Sequence, residues 1–193
     1  MAFVFSIWEI IDMVAMSVIV GIIFMGFLKR FRPTAIEEFY EKRHKVFFND
    51  FKFAVIVTAP AILLHEFGHK FVALAFGLTA VFKAAYIWLG IGLVMKFVGF
   101  VFFVPAYVSI TNPSGLPIAP SIYSLVAFAG PAVNLILWLL AIVALRRNWF
   151  GDKYRSLIYL TKWINMLLFI FNMLPLPGFD GLKVYSGIFQ AIV

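Results

Sequence analysis

The 193-residue chain contains no cysteine, and only 13% of its residues are charged. Without thiols it cannot be a disulfide-stapled secreted scaffold, use a cysteine nucleophile, or build a zinc ribbon or an iron–sulfur centre. The shortage of charge excludes an ordinary soluble domain, in which about a quarter of residues are charged and about half are apolar. Here 64% are hydrophobic and the mean hydropathy is +1.01. The length suits one soluble-type domain or four to six membrane passes of about 20 residues each, and the composition selects the second. Histidine and late acids are scarce too: the histidines are His44, His65 and His69, and the only acids after Glu66 are Asp152 and Asp180. A net charge of +7 would suit nucleic acid. Most of the basic residues, however, fall in two short segments between apolar runs, which is a membrane-topology pattern, so no nucleic-acid partner is expected.

What the chain has in abundance is long apolar runs: Ile7 to Leu28, Phe53 to Leu78, Ser121 to Leu145, and one starting near Leu157. The first follows neither a basic segment nor a small-residue cleavage site, so it reads as a retained span and not a signal peptide. Seven basic residues lie between Lys29 and Lys52, and Arg146, Arg147, Lys153 and Arg155 form a second cluster. The excess of Lys and Arg in cytoplasmic loops places both loops, 29–52 and 146–155, on the cytoplasmic side. An even number of crossings must then separate them. The apolar stretch Ala80 to Asn112, broken by Lys83, Gly90, Gly92, Lys96, Gly99 and Pro105, is therefore expected to be re-entrant or a hairpin. Its second half, Phe97 to Ile110, is rich in strand-favouring Val, Phe, Tyr and Ile. Such backbone survives at membrane depth only inside protein or beside a wet cavity, so a cavity is expected next to it. The fold predicted is an α-helical polytopic membrane protein with about four transmembrane helices plus a membrane-embedded, strand-containing re-entrant segment. It is read as one multi-pass domain over 1–193, with no inserted or appended soluble domain.

The second run contains His65-Glu66-Phe67-Gly68-His69, an HExxH pattern. Residues four apart share a helix face, so both imidazoles can converge on one metal ion at about 2.0–2.1 Å. Glu66 is offset by about 100°, outside the ligand set but near a water that it could deprotonate. Two histidines and a glutamate in an apolar helix cost several kcal/mol unless paired, and intramembrane ionisable groups are functional by default.

A catalytic zinc takes three protein ligands and one open position. Downstream of Glu66, Asp152 and Asp180 are the only acids that could supply the third. Asp152 lies in the charged loop, where a solvated acid is the ordinary reading. Asp180 lies in Asn172-Met173-Leu174-Pro175-Leu176-Pro177-Gly178-Phe179-Asp180-Gly181, a broken stretch of the kind that builds sites at membrane depth. Depth arithmetic favours it: Lys52 to His65 covers about 20 Å of helix, and Lys162 to Leu174 about 18 Å.

Three blocks, in order and on apolar segments, resemble the site-2 protease family of intramembrane zinc metalloproteases. They are His65 to His69, Gly130-Pro131-Ala132-Val133-Asn134, and Asn172 to Gly181, within a catalytic core of about 53–184. The resemblance implies one Zn2+ per chain held by His65, His69 and Asp180, with Glu66 as catalytic base. It also implies that a single-span membrane-protein substrate is cut within the lipid bilayer, in regulated intramembrane proteolysis. The family bears strands just after its first motif, and often has Leu where Phe179 stands here. An amide side chain would help stabilise the oxyanion. Asn172, which begins the broken motif, and Asn134 are the candidates, and an interhelical hydrogen bond is the other reading of Asn134. An exposed edge within Phe97 to Ile110 would pair with the unwound substrate. A transporter or channel with a buried ion site is the alternative, but it predicts paired motifs in two halves that the sequence lacks.

Other polar residues carry weaker readings. His44 reads as a solvated loop residue. Glu9 and Asp12 suit ordinary helix-start positions or contacts with Lys83 or Lys96. Lys70 would snorkel or line a water path, and Ala61, Gly68 and Ala75 mark close helix packing. Oligomeric state is left open.

Overall fold

The computed structural model describes residues 4–28, 31, 43–99 and 104–192. Most of the basic loop 29–52, the side chain of His44 and residues 100–103 of the strand-favouring stretch lie outside the described residues.

Helix α1 spans Ile7–Leu28 and α2 spans Arg43–Ala75. Strand β1 (Thr79–Ala84), helix α3 (Tyr86–Phe97) and strand β2 (Ala106–Thr111) follow. Helix α4 is Pro120–Arg147, and a 3-10 turn at Asp152–Tyr154 leads into α5 (Arg155–Asn172) and α6 (Asp180–Ile192). Among the described residues, three helices are long and apolar enough to cross a membrane: α1, α4 and the part of α2 from Lys45 to Ala75. Helix α5 has 18 residues but is not among them.

Local chemistry sets the ends of these helices. Ser6 and Glu9 form a reciprocal capping box at the start of α1: the Glu9 N–H donates to Ser6 Oγ (3.3 Å) and the Ser6 N–H to Glu9 Oε2 (2.9 Å). Helix α2 closes on Gly77, whose φ of 74° is a left-handed conformation that glycine adopts without a Cβ clash. The Leu78 N–H then reaches back to the Ala73 carbonyl (3.0 Å) and the Gly77 N–H to that of Leu74 (3.0 Å), which turns the chain straight into β1. Pro120 begins α4, and Asn148 ends it at φ 47°.

The expected re-entrant region is a two-stranded antiparallel sheet with a helix between its strands. Thr79 pairs with Thr111, Val81 with Ser109 and Lys83 with Tyr107. The Ala85 N–H donates to the Pro105 carbonyl, so the odd-numbered residues of β1 face β2 and the even-numbered ones face away. Helix α3 was not expected, because Gly90 and Gly92 read as breakers. A helix satisfies its own backbone groups, and in this apolar stretch that outweighs about 1 kcal/mol of propensity per glycine.

The core lies where these pieces meet: Met16 and Val20 of α1, Ile62 of α2, Phe82 of β1 and Leu89 of α3 bury one another. Gly68 lets α2 close on α4, since a Cβ there would stand 2.7 Å from the Ala129 carbonyl oxygen.

Candidate active site

His65 and His69, one turn apart on α2, direct their Nε2 atoms to a common point 3.1 Å from each other. Asp180, the first residue of α6, brings Oδ2 to 3.2 Å from His65 Nε2 and 3.1 Å from His69 Nε2. Two residues close in sequence and one more than a hundred positions later thus present three donor atoms at the corners of a nearly equilateral triangle. All three are buried. Donors held at 2.0–2.1 Å by a tetrahedral ion stand roughly 3.3–3.4 Å apart, so the triangle needs to open by only a few tenths of an ångström to accept one. The donor set, two imidazoles and a carboxylate with a fourth side open to a cavity, fits a zinc ion.

Each histidine has its other nitrogen occupied. His69 Nδ1 lies 2.8 Å from the Val126 carbonyl of α4. His65 Nδ1 lies 2.6 Å from Asn134 Oδ1. Donation from Nδ1 fixes the tautomer and leaves the Nε2 lone pair free to bind metal. Asn134 is completely buried, and its Nδ2 donates to Asn165 Oδ1 (2.9 Å) and the Ala61 carbonyl (3.2 Å). Asn165 Nδ2 donates in turn to the Thr161 carbonyl (2.8 Å). Of the two readings open for Asn134, the geometry matches interhelical bonding: its amide joins α2, α4 and α5 behind His65. Lys183, one turn along α6, donates to Asp180 Oδ1 (3.2 Å) and leaves Oδ2 to face the imidazoles.

Gly130 makes room for the triangle. A Cβ there would lie 2.3 Å from His69 Nε2 and 2.7 Å from His65 Nε2. Gly181 does the same for the loop before α6, where a Cβ would meet the Met173 carbonyl at 2.5 Å.

A cavity of about 420 Å³ opens onto the triad. Glu66, Asn172 and Lys183 line it with the three donors, and Ala106 to Val108 and Ile110 of β2 form part of its wall. The cavity expected beside the strand-bearing segment is therefore present. Glu66 is buried, and among the described residues no hydrogen bond or ion pair occupies its carboxylate. Asp152 is far more open, its side chain 87% exposed beside Arg155.

Three corrections concern charged side chains outside the site. Lys70 neither snorkels nor lines the cavity: it is 2% exposed and bonded to Glu9. Glu9 and Asp12 meet neither Lys83 nor Lys96, and accept the Phe82 and Ala84 N–H groups of β1 instead. Lys96 instead donates to the Ile22 carbonyl at 2.6 Å. Sequence reasoning missed Asn165 and Lys183 as supporting residues. Lys183 had a signal, since it lies one helical turn after Asp180, whereas Asn165 had none.

A protein of Methanocaldococcus jannaschii is 32% identical over 142 residues, which cover 69% of this chain and 69% of that protein. Relatives from Mycolicibacterium smegmatis and Mycobacterium tuberculosis, both called Rip2, are 30% identical over 135 and 150 residues, covering 63% of this chain. The chain spans about half the length (51%) of these two mycobacterial relatives. All three proteins bear the name "Putative zinc metalloprotease". No family model and no solved structure matches the chain. Relatives of this name agree with three buried side chains that could hold a metal ion: the chain belongs to the site-2 protease family of zinc metalloproteases.

Proposed function

We propose that the chain is an intramembrane zinc endopeptidase that hydrolyses a peptide bond within a membrane-spanning segment of a membrane-protein substrate. The observation that carries this reading is the donor triangle of His65, His69 and Asp180, buried among helices apolar enough to cross a bilayer and open to a cavity that also holds Glu66. In this reading α5 completes a fourth crossing, 1–193 acts as one domain, and loops 29–52 and 146–155 face the cytoplasm. One zinc ion per chain sits on the triangle.

A zinc ion so held supplies Lewis acidity: it polarises a carbonyl and brings the pKa of water down to about 7. Glu66 takes the proton from the attacking water and delivers it to the departing amine. Asn172 offers an amide donor to the developing oxyanion. Asn134 and Asn165 hold His65 in its ring orientation and do not touch substrate. Lys183 keeps Asp180 aimed.

A substrate helix must unwind before it can be cut, and its freed N–H and C=O groups then need partners. Strand β2 offers them. Since Ala80, Phe82 and Ala84 face away from β2, their register partners Ile110, Val108 and Ala106 face away from β1. Among the described residues no hydrogen bond outside the sheet reaches these three, which line the cavity. A substrate strand laid along that edge lies beside Glu66.

The deciding experiment incubates the purified chain in detergent with single-span substrates, with and without a zinc chelator. Zinc-dependent cleavage that disappears in Glu66→Gln is expected. Cleavage persisting in Glu66→Gln, or none under any condition, would reject the reading.

A further inference from the structure

Glu9 and Lys70 form an ion pair with side chains only 5% and 2% exposed, and neither lines the metal cavity. Lys70 Nζ lies 2.5 Å from Glu9 Oε1 and 2.7 Å from the Ala80 carbonyl oxygen, beneath the Phe5 ring at 5.0 Å. The same Oε1 accepts the Phe82 N–H at 2.7 Å. Three residues along α1, Asp12 accepts the Ala84 N–H (3.2 Å) and the Tyr86 hydroxyl (2.5 Å). The outer edge of β1 is thus taken group by group: Ala80 by Lys70, Phe82 by Glu9 and Ala84 by Asp12.

Stability alone does not call for this arrangement, because apolar residues of similar volume often serve as well as a buried ion pair. What the pair adds is register. Lys70 follows His69 directly, so a short chain of contacts runs from the metal triangle through Lys70 to Ala80, across β1 to β2 and out to the open edge. Strand pairings slip by two residues while keeping the same faces, and such a slip would carry the edge about 7 Å past Glu66.

We propose that Glu9 and Lys70 are positioning residues: they lock the sheet to the metal-bearing helix and so select which peptide bond of a strand laid along β2 arrives at Glu66. The inference rests on the protease reading above. Asp12 assists, and α1 as a whole serves as the back-plate of the sheet.

The test removes both charges together, Glu9→Leu with Lys70→Met, so that neither is left buried alone. The full chain is assayed in detergent with a synthetic single-span peptide for zinc content, cut positions by mass spectrometry, KM and kcat. The Kd of the same peptide is measured for both charge states in a Glu66→Gln background. Zinc content should stay at the wild-type level, KM and Kd should rise ~10-fold, kcat should stay within ~3-fold, and cuts should spread to neighbouring bonds. Unchanged Kd, KM and cut position in the zinc-loaded double variant would overturn the proposal. Should that variant lose zinc, Glu9→Asp decides instead: it keeps the charge but withdraws the carboxylate by one methylene, and an unaltered Kd and cut position would again overturn it. A wild-type chain that binds zinc and peptide yet never cleaves would sink the protease reading alone, while the Kd comparison still decides the positioning role.

Discussion

Gly130 is the residue on which the donor triangle most depends without contributing an atom to it. Gly130→Ala would push a methyl group between the two Nε2 atoms, and zinc affinity is expected to fall 10- to 100-fold, the usual cost of disturbing the surroundings of a metal ligand. Metal-competition titration reads this directly. Asp180→Ala is expected to empty the site at zinc concentrations that saturate the wild type, and full occupancy there would refute the third-ligand assignment. Glu66→Gln should keep its zinc and lose 10²- to 10⁴-fold in kcat. At this scale the sequence was most readable where spacing alone decides geometry. His65, Glu66 and His69 sit on one helix, so their directions follow from 3.6 residues per turn. Asp180 could be narrowed to one of two acids only because so few follow Glu66. Asn165 was beyond reach: its partner Asn134 is 31 positions away, and the meeting depends on how α4 crosses α5.

Among the elements, β2 shows how one residue of register changes the meaning of a substitution. The composition of Phe97 to Ile110 suggested an edge strand, and β2 occupies Ala106–Thr111 within and just beyond it. Composition did not show which amides point outward, since that depends on the partner strand. The Val108 N–H faces the cavity side and the Tyr107 N–H faces β1. Val108→Pro is therefore expected to leave zinc bound and raise KM about tenfold, by removing one donor from the open edge. Tyr107→Pro should instead break the ladder to Lys83 and damage the fold. Steady-state kinetics with metal analysis separates the two, and equal effects would argue against pairing along this edge. A helix-start position for Glu9 was readable, but its contact with β1 was not, because it needs a strand more than seventy residues away.

The whole molecule is tied together through the metal site, since the donors come from α2 and α6 while the groups behind them come from α4 and α5. Anything that binds the folded chain alone stabilises it, by about 2.7 kcal/mol at a hundredfold excess over Kd. Chelation is accordingly expected to lower the thermal midpoint in detergent, and the Asp180→Ala chain should show no such response. The topology can be tested because the chain has no cysteine to remove. Single cysteines at Phe47 and Gly151 should both react with a membrane-impermeant reagent from the same side, and labelling from opposite sides would require an odd number of crossings between them. Hydropathy predicted this scale well in outline, with α1, α2 and α4 close to the apolar runs. It was less informative for α5, whose Lys162 and Asn165 dilute the signal.

The Glu9 carboxylate has a practical corollary for anyone handling this protein. Trimming the front end past that position would strand the Lys70 ammonium in a greasy interior, one step from His69, at a cost of several kcal/mol. A version shortened to begin at Met13 should be recovered misfolded and without metal.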